Sequence, residues 1–314
     1  KRLRIRQLGN KQSPTGMARR RCQGDFVWRS VRSTRATATL ESLRHDMSTI
    51  RYWQEMTTLE AQSLAQTDPV VILPLAAIEQ HGPHLPLSTD LDIGMGLLES
   101  AFRVLPTDFP AWVLPPQAVG ASREHLRFPG TLNLDSDLLG EIINQHGETL
   151  AASGVKRLVL SNSHGGNRSI LDTAGLRLRE EHDMLVIKAN YFMFPRPDTV
   201  DLPESEWRHG LHGGAVETSM MLHLHPDLVR TDKLQEKGRS LAETIEDTLR
   251  RVDADSDAAA FAWLASDLNQ SGVIGNASLA EANTGKRLVE YYGKVLAEVI
   301  CDAQTFPLEW LTDR

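Results

Sequence analysis

The stretch that decides the fold is VVILPLAAIEQHGPHLPLSTD, residues 70–90. Its first six residues form an apolar run with the length and composition of a buried strand. The loop that follows carries Glu79, His81 and Asp90, and α/β proteins place their chemistry in loops at strand ends. Glu79 and His81 are two residues apart, so in extended backbone both side chains can reach one divalent cation. The alternative is a polar loop in which Asp90 only caps a helix.

Outward from this stretch, strands and helices alternate along the chain. We predict strands at 70–75, 112–114, 157–160 and 184–189, and helices at 91–104, 135–153, 168–179, 215–224 and 279–303. This alternation predicts an α/β fold in which a mostly parallel sheet is covered by helices on both faces, a three-layer α/β/α sandwich. Residues 232–275 show no clear pattern.

Composition places the chain among ordinary globular proteins. Of its 314 residues, 41% are hydrophobic and 24% are charged. The net charge of −7 argues against a nucleic-acid partner, because nucleic-acid binders usually carry a basic face. We expect no membrane partner, since no apolar stretch approaches the roughly 20 residues that span a bilayer. Cys22 and Cys301 cannot form a disulfide framework, so we expect a cytoplasmic protein.

The first 46 residues differ from the rest of the chain. They are rich in Arg, Ser, Thr and Gln and have little periodic hydrophobicity. We expect residues 1–46 to be a disordered or non-native extension, with Met47 as a natural start. Residues 47–314 are then predicted to form a single domain. An Arg-rich transit peptide and a basic arm that touches nucleic acid are the alternatives for the extension.

Two further segments bring polar residues to the predicted sheet edge. His164 follows the strand at 157–160, so it should lie at the same edge as residues 79–90. Glu217 lies in the first turns of an apolar helix, where a carboxylate is costly unless it is paired or bound to metal. His212, just before that helix, is a candidate acid or base. The alternatives are a core histidine, a phosphate-binding glycine turn at 165–166, and a capping or salt-bridged Glu217.

The stretch SREHLRFPGT, residues 122–131, adds polar groups after the second predicted strand. These include Ser122, Glu124 and His125. His84 and His125 could orient metal ligands through hydrogen bonds from outside the coordination sphere. An ordinary structural role is the alternative for each of them.

Four motifs, EQHGPHLPLSTD, SREHLRFPGT, NSHGGN and HGGAVETSMML, occur in this order and resemble the creatininase (creatinine amidohydrolase) family. The resemblance covers residues 70–226, about half of the chain. It implies an α/β metallohydrolase that cleaves an amide bond in a small cyclic or formylated substrate. It also implies two divalent metal ions per subunit and a homohexamer. Oxygen and imidazole ligands without thiolates are compatible with Zn²⁺, Mn²⁺ or Fe²⁺.

Carried over by position, the resemblance makes four residues metal ligands: Glu79, His81, Asp90 and His164. Asp90 would bridge the two ions. The family has a glutamate where this chain has Gly166, and Glu217 is the matching carboxylate that could replace it. His212 matches the family's proposed proton-transfer histidine. Trp207 lies near the position of the family's substrate-contacting tryptophans, and the sequence shows no clear second one.

These features predict a metal-dependent hydrolase that cleaves a non-peptide C–N bond, such as that of creatinine or another cyclic amide. A metal-activated water would attack the amide, and His212 would carry the proton. The departures at Gly166 and at the second tryptophan argue against creatinine itself. A formamidopyrimidine-type deformylase of flavin or deazaflavin synthesis and a peptide-trimming enzyme are alternatives within the family. A nonenzymatic metal-binding module is the alternative of a different class.

Overall fold

The structure is a computed structural model, and it describes residues 49–234, 240–256 and 258–311. The predicted extension at 1–46 lies outside the described residues. The extent of a single domain over 47–314 stays a prediction.

A four-stranded parallel sheet forms the centre of the fold. Its strands are β1 (Val70–Leu75), β2 (Ala111–Val113), β3 (Arg157–Asn162) and β4 (Leu185–Asn190), in the spatial order β2-β1-β3-β4. All six residues of β1 are buried, as expected for a central strand covered on both faces. The predicted strands are therefore present, with ends that differ by one or two residues.

The described residues contain α-helices that cover this sheet and extend beyond it. They are α1 (Thr58–Leu64), α2 (Thr89–Val104), α3 (Ser136–Ala152), α4 (Arg168–His182), α5 (Glu204–His209), α6 (Ala215–Leu224), α7 (Leu241–Glu246), α8 (Ala265–Leu268) and α9 (Ala282–Thr305). Short 3-10 helices lie at Trp53–Glu55, Ala65–Thr67, Arg123–His125, Gly165–Asn167, Tyr191–Met193, Pro226–Leu228, Thr231–Lys233, Ala277–Leu279 and Leu308–Trp310. The last predicted helix begins three residues late because Ala277–Leu279 is a 3-10 turn that ends in extended backbone at Ala280.

The two faces of the sheet are covered by different helices. Val70 and Ile72 of β1 belong to one apolar cluster, which also contains residues of α2, α6 and α9. Val71 and Leu73 belong to a second cluster, with residues of α3 and α4. Full burial of each such side chain stabilises the fold by roughly 2 kcal/mol. The alternation of β1 between two helical layers confirms the predicted three-layer α/β/α sandwich.

The strand order creates a crevice beside β1. From β1 the chain continues to β2 on one side, whereas β3 pairs with β1 on the other side. Open α/β sheets bind ligands at such a switch point, beyond the carboxyl ends of the strands. The side chain of Asn167 joins the loops there, since it accepts a hydrogen bond from the Ala121 amide at 3.0 Å and donates one to the Ala76 carbonyl at 3.2 Å. The loops after β1 and β3 therefore meet in one place.

The segment without a clear sequence pattern forms a small apolar cluster of its own. Its buried members are Ala242, Ala254, Leu268 and Ile274, and Phe261 and Trp263 pack against them. The indole N–H of Trp263 donates a hydrogen bond to the Ala254 carbonyl at 2.8 Å. In the parts of the chain that the structure describes, we find no helix with the length and apolar character needed to cross a bilayer.

Candidate metal centre

Four of the five predicted ligands meet at the crevice and are almost completely buried. Their exposed fractions are 1% for Glu79, 0% for His81, 2% for Asp90 and 4% for His164. Glu79 and His81 follow β1, Asp90 lies in the first turn of α2, and His164 follows β3. Burying two carboxylates is costly unless cations compensate their charge. The site therefore requires positive charge between these side chains.

Asp90 lies between the two histidines. Its Oδ1 is 3.2 Å from His81 Nε2, and its Oδ2 is 3.3 Å from His164 Nδ1. Glu79 Oε1 lies 3.4 Å from the same nitrogen of His164. Because the two oxygens of Asp90 face different histidines, this carboxylate can contact two cations at once, as a bridging ligand does.

Backbone carbonyls orient both histidine rings toward the cluster. The Nδ1–H of His81 donates to the Glu79 carbonyl at 3.1 Å, and the Nε2–H of His164 donates to the Ala121 carbonyl at 2.9 Å. In each ring the other nitrogen faces the carboxylates. Such hydrogen bonds from the distal nitrogen are the usual way in which proteins fix metal-binding histidines.

Glu217 extends the cluster on the His81 side. It lies in the first turn of α6, and its Oε2 is 4.0 Å from His81 Nε2. The same oxygen accepts a hydrogen bond from the Gly213 amide at 2.6 Å. Burial raises the pKa of Glu217 to about 7, although nearby His81 opposes the shift. The site thus has two halves that share Asp90, one with His81 and Glu217 and the other with Glu79 and His164.

The donor atoms are those expected of a site for divalent cations. Among the described residues, none makes a hydrogen bond to either carboxylate oxygen of Glu79, to Asp90 Oδ2 or to His81 Nε2, although all are buried. Burial alone would lower the pKa of His81, but Asp90, Glu217 and Glu79 raise it to about 10. The cluster therefore attracts positive charge strongly. Three groups of closely spaced potential ligand atoms lie in it: Glu79, Asp90 and His164; His81, His212 and Glu217; and Glu79, His125 and His212. Buried polar atoms left unpaired in this way fit metal ligands.

The loop at 122–125 packs against His164. Ser122 Oγ lies 3.5 Å from His164 Nε2, and Glu124 Oε1 lies 3.8 Å from the same nitrogen. This packing explains the glycine at position 166. A Cβ atom there would lie 2.3 Å from the Ala121 carbonyl oxygen and 2.7 Å from Glu124 Oε1, so the loop leaves no room for a side chain.

The other two predicted supporting residues, His84 and His125, have different contacts. His84 Nε2 is 3.1 Å from the Gly213 carbonyl and 2.9 Å from Thr218 Oγ1. His84 therefore holds the loop between β1 and α2 against the start of α6. His125 Nε2 lies 3.4 Å from Glu79 Oε1. Burial lowers the pKa of His125 to about 4, although Glu79 opposes the shift. His125 is therefore neutral at physiological pH.

His212, the predicted proton carrier, lies beside Glu79. Its Nε2–H donates to the Gln80 carbonyl at 2.5 Å, and its Nδ1 lies 3.7 Å from Glu79 Oε1. Burial lowers the pKa of His212 well below its usual range, and nearby His81 and His125 lower it further. A neutral imidazole with its unprotonated nitrogen toward the site can accept a proton.

A cavity of about 1190 Å³ opens above these residues. Trp207, which the sequence singled out, lines this cavity, and so does Trp263, which the sequence did not single out. Glu206 was also missed, and its buried carboxylate accepts hydrogen bonds from the amides of Ala215 and Asn276 at 2.5 and 2.8 Å. The glycines of GLHGG could have indicated a buried group at the start of α6.

The fold and the site are those of an α/β metallohydrolase. The family model for creatininase, described as creatinine amidohydrolase, matches residues 54–300. The chain therefore belongs to the creatininase family, which confirms the resemblance seen in the four motifs.

The chain is similar in sequence to several known proteins. A mycofactocin precursor peptide peptidase of Mycobacterium tuberculosis (strain H37Rv) is 32% identical over 241 residues, covering 74% of this chain and 85% of the relative. A creatinine amidohydrolase of Pseudomonas putida is 33% identical over 197 residues, covering 57% and 74%. A 2-amino-5-formylamino-6-ribosylaminopyrimidin-4(3H)-one 5'-monophosphate deformylase of Methanobrevibacter smithii is 28% identical over 148 residues, covering 46% and 54%.

Solved creatininase structures share the fold. The structure titled "Creatininase Mn" superposes with a TM-score of 0.66 at 26% identity, covering 82% of this chain and 100% of the other. A creatininase mutant described as "Zn-Zn type" gives a TM-score of 0.64 at 25% identity, covering 83% and 100%. Hydrolase membership and metal binding are thus supported both by the family and by the buried ligand cluster.

Proposed function

We propose that this protein is a metal-dependent hydrolase that cleaves an amide bond in a peptide. The observation that carries this proposal is the cavity of about 1190 Å³ directly above the ligand cluster. Pockets for drug-sized ligands measure roughly 300–1,000 Å³, so this cavity exceeds the space that a small cyclic amide would fill. The similarity to a mycofactocin precursor peptide peptidase over most of both chains supports the same choice.

A cyclic amide such as creatinine is the second candidate, and the sequence alone favoured it. It is supported by the similarity to the Pseudomonas putida creatinine amidohydrolase and by two tryptophans, Trp207 and Trp263, in the cavity wall. Against it stands Gly166, where the packing of Ala121 and Glu124 leaves no space for the glutamate of creatininase. The deformylase alternative has less support, because the similarity covers only 46% of this chain.

Five side chains would hold two divalent ions: Glu79, His81, Asp90, His164 and Glu217. Zn²⁺ and Mn²⁺ are our proposed metals, because the donors are imidazole nitrogens and carboxylate oxygens. When bound, such ions supply Lewis-acid polarisation of the scissile carbonyl and make water a better nucleophile. Glu79 and Asp90 line the cavity and are almost fully buried, so they would hold the ions where the protein excludes bulk solvent.

His212 would carry the proton that the reaction must move. Attack of water forms a C–O bond and requires the water to lose a proton, and breaking the C–N bond requires the leaving nitrogen to gain one. His212 Nδ1 faces Glu79 while its Nε2–H is held by the Gln80 carbonyl. The same nitrogen can therefore accept the first proton and deliver it to the amine.

The proposal is tested by turnover of the metal-loaded protein. Protein reconstituted with Mn²⁺ or Zn²⁺ is incubated with a library of short peptides, with creatinine and with a formylaminopyrimidine, and products are identified by mass spectrometry. We expect peptide cleavage that is lost in His212→Gln although the metal content is unchanged. His146→Gln, on the distant helix α3, is the matched control and should retain activity. Hydrolysis of creatinine alone would overturn the choice of substrate.

The assembly is proposed on family resemblance alone. We propose a homohexamer that has no nucleic-acid or membrane partner. Light scattering coupled to size-exclusion chromatography should give about six times the chain mass of 34.9 kDa. A monomeric peak at the concentration of the activity assay would contradict the hexamer.

A further inference from the structure

The side-chain amide of Gln80 is held in one orientation by two backbone groups. Its Oε1 accepts a hydrogen bond from the Gly82 amide at 2.9 Å, and its Nε2 donates one to the Gly272 carbonyl at 3.1 Å. Reversing the amide would place donor against donor and acceptor against acceptor. Gly272 has φ +78, and a Cβ atom there would lie 2.2 Å from Gln80 Oε1. The glycine therefore permits the close approach that fixes the amide.

This orientation determines which nitrogen of His125 carries the proton. Gln80 Nε2 also lies 2.9 Å from His125 Nδ1. Since the amide nitrogen can only donate, Nδ1 must accept, and the proton of the neutral ring must be on Nε2. His125 Nε2 lies 3.4 Å from Glu79 Oε1. An N–H group therefore faces the carboxylate cluster from this side.

The backbone of Gln80 imposes the opposite arrangement on His212. The Gln80 carbonyl can only accept, so it takes the Nε2–H of His212 and leaves the lone pair of this ring on Nδ1. His212 Nδ1 lies 3.7 Å from the same oxygen, Glu79 Oε1. The rings of His125 and His212 lie side by side, with centroids 4.2 Å apart and planes at 31°.

We propose that Gln80 is a positioning residue that fixes opposite tautomers of two adjacent histidines, so that His125 presents an N–H and His212 a lone pair to the reacting amide. Both rings line the cavity above the ligand cluster. From there the N–H of His125 can donate a hydrogen bond to the carbonyl oxygen of a bound amide as negative charge develops on it. His212 accepts the proton of the attacking water and returns it to the leaving nitrogen. Only the identity of the reacting amide rests on the proposed function; the tautomers do not.

The tautomer of His125 also determines whether this residue can bind a metal ion. The trio Glu79, His125 and His212 places three potential ligand atoms within 4.8 Å of one another. A histidine nitrogen that carries a proton has no lone pair for a metal ion. His125 therefore acts as a hydrogen-bond donor beside the metal positions and does not bind an ion there.

The variant Gln80→Glu tests the proposal because it keeps the size of the side chain and removes the donor. The carboxylate can only accept, so His125 must donate through Nδ1, and a neutral ring then turns its lone pair toward Glu79. Gln270→Glu is the matched control because it adds the same charge at an exposed position. Gln270 lies in the segment that carries Gly272. Metal-free and Zn²⁺-loaded proteins labelled with ¹⁵N-histidine are compared by long-range ¹H–¹⁵N correlation NMR, which distinguishes the two neutral tautomers.

We expect His125 to carry its proton on Nε2 in the unaltered protein and in Gln270→Glu, and on Nδ1 in Gln80→Glu. The signals are assigned by their absence in His125→Gln. We further expect kcat of Gln80→Glu to fall about 100-fold, the loss typical of one donor to a developing oxyanion. KM and metal content should stay within twofold.

An Nδ1–H tautomer of His125 in the unaltered protein would overturn the proposal, and this measurement needs no substrate and no variant other than the His125→Gln used for assignment. An unchanged kcat in a Gln80→Glu protein with the reversed tautomer would overturn the catalytic part. Because the spectra require no turnover, a failed search for peptide substrates leaves the tautomer assignment intact.

Discussion

Replacing Asp90 by asparagine should weaken both halves of the metal site at once. The two oxygens of Asp90 lie 3.2 Å from His81 Nε2 and 3.3 Å from His164 Nδ1. An asparagine has nearly the same shape, but its amide nitrogen cannot bind a cation and its oxygen carries no full charge. Each ion would therefore lose one of its protein ligands or the charge of that ligand.

The size of the effect can be estimated from the energy of zinc binding. Structural zinc sites with four ligands bind with about 10–16 kcal/mol, which is about 3 kcal/mol per ligand. A loss of about 3 kcal/mol weakens the affinity about 100-fold. We expect Asp90→Asn to bind both ions about 100-fold more weakly, although its fold should be retained because α2 remains packed on the sheet.

The assay is metal content measured by mass spectrometry after dialysis against buffers of defined free Zn²⁺. Asp92→Asn is the control, because Asp92 lies on the same turn of α2 and its Oδ2 accepts a hydrogen bond from Ser88 Oγ at 2.7 Å, outside the cluster. Retention of two ions per chain by Asp90→Asn, at a free Zn²⁺ concentration that only just saturates the unaltered protein, would refute the assignment of Asp90 as the bridging ligand.

Three further predictions follow from the same geometry. Glu217→Gln should lose only the ion beside His81, so that mass spectrometry finds one ion per chain where the unaltered protein holds two. Gly166→Glu should not create a creatininase, because its Cβ would lie 2.3 Å from the Ala121 carbonyl oxygen and 2.5 Å from His164 Nε2; we expect a loss of about 1–3 kcal/mol in unfolding free energy, measured by denaturant titration. In the metal-free protein, burial lowers the pKa values of His81 and His164, but the nearby carboxylates raise them by more. The pKa of His81 is therefore raised to about 10, and that of His164 well above its usual value. The unfolded chain releases these protons near pH 6.5. The stability they contribute should therefore be lost as pH rises from 7 to 10, by about 1.4 kcal/mol per pH unit for each retained proton.

Each of these outcomes has a clear opposite. Loss of both ions in Glu217→Gln would mean that Glu217 supports both metal positions and not only the one beside His81. A stable Gly166→Glu protein that hydrolyses creatinine would show that the loop at Ala121 can move enough to accommodate the glutamate. Metal-free protein whose unfolding free energy rises between pH 7 and 10 would contradict the raised pKa values of His81 and His164. Metal-loaded protein is the control, because the cations replace those protons and stability should then not fall over this range.

The sequence by itself determined the fold class and the main ligand candidates. Hydrophobic periodicity is local, so the buried run at 70–75 and the amphipathic helices could be recognised without knowing their partners. The spacing of Glu79 and His81 and the position of His164 after a strand predicted one edge of the sheet for all three. The family motifs supplied the remaining roles, and comparison with known proteins confirmed the family.

Only the tertiary structure decided how these residues meet. The placement of Asp90 between two histidines, and of Glu217 beside one half of the site, depends on how α2 and α6 pack on the sheet. Trp263 was missed because its segment consists of short turns around a small apolar cluster, with no period to detect. Gln80 shows the physical reason most clearly: its amide is oriented by Gly272, 192 residues along the chain. A hydrogen-bond direction set by so distant a backbone group leaves no pattern in the local sequence.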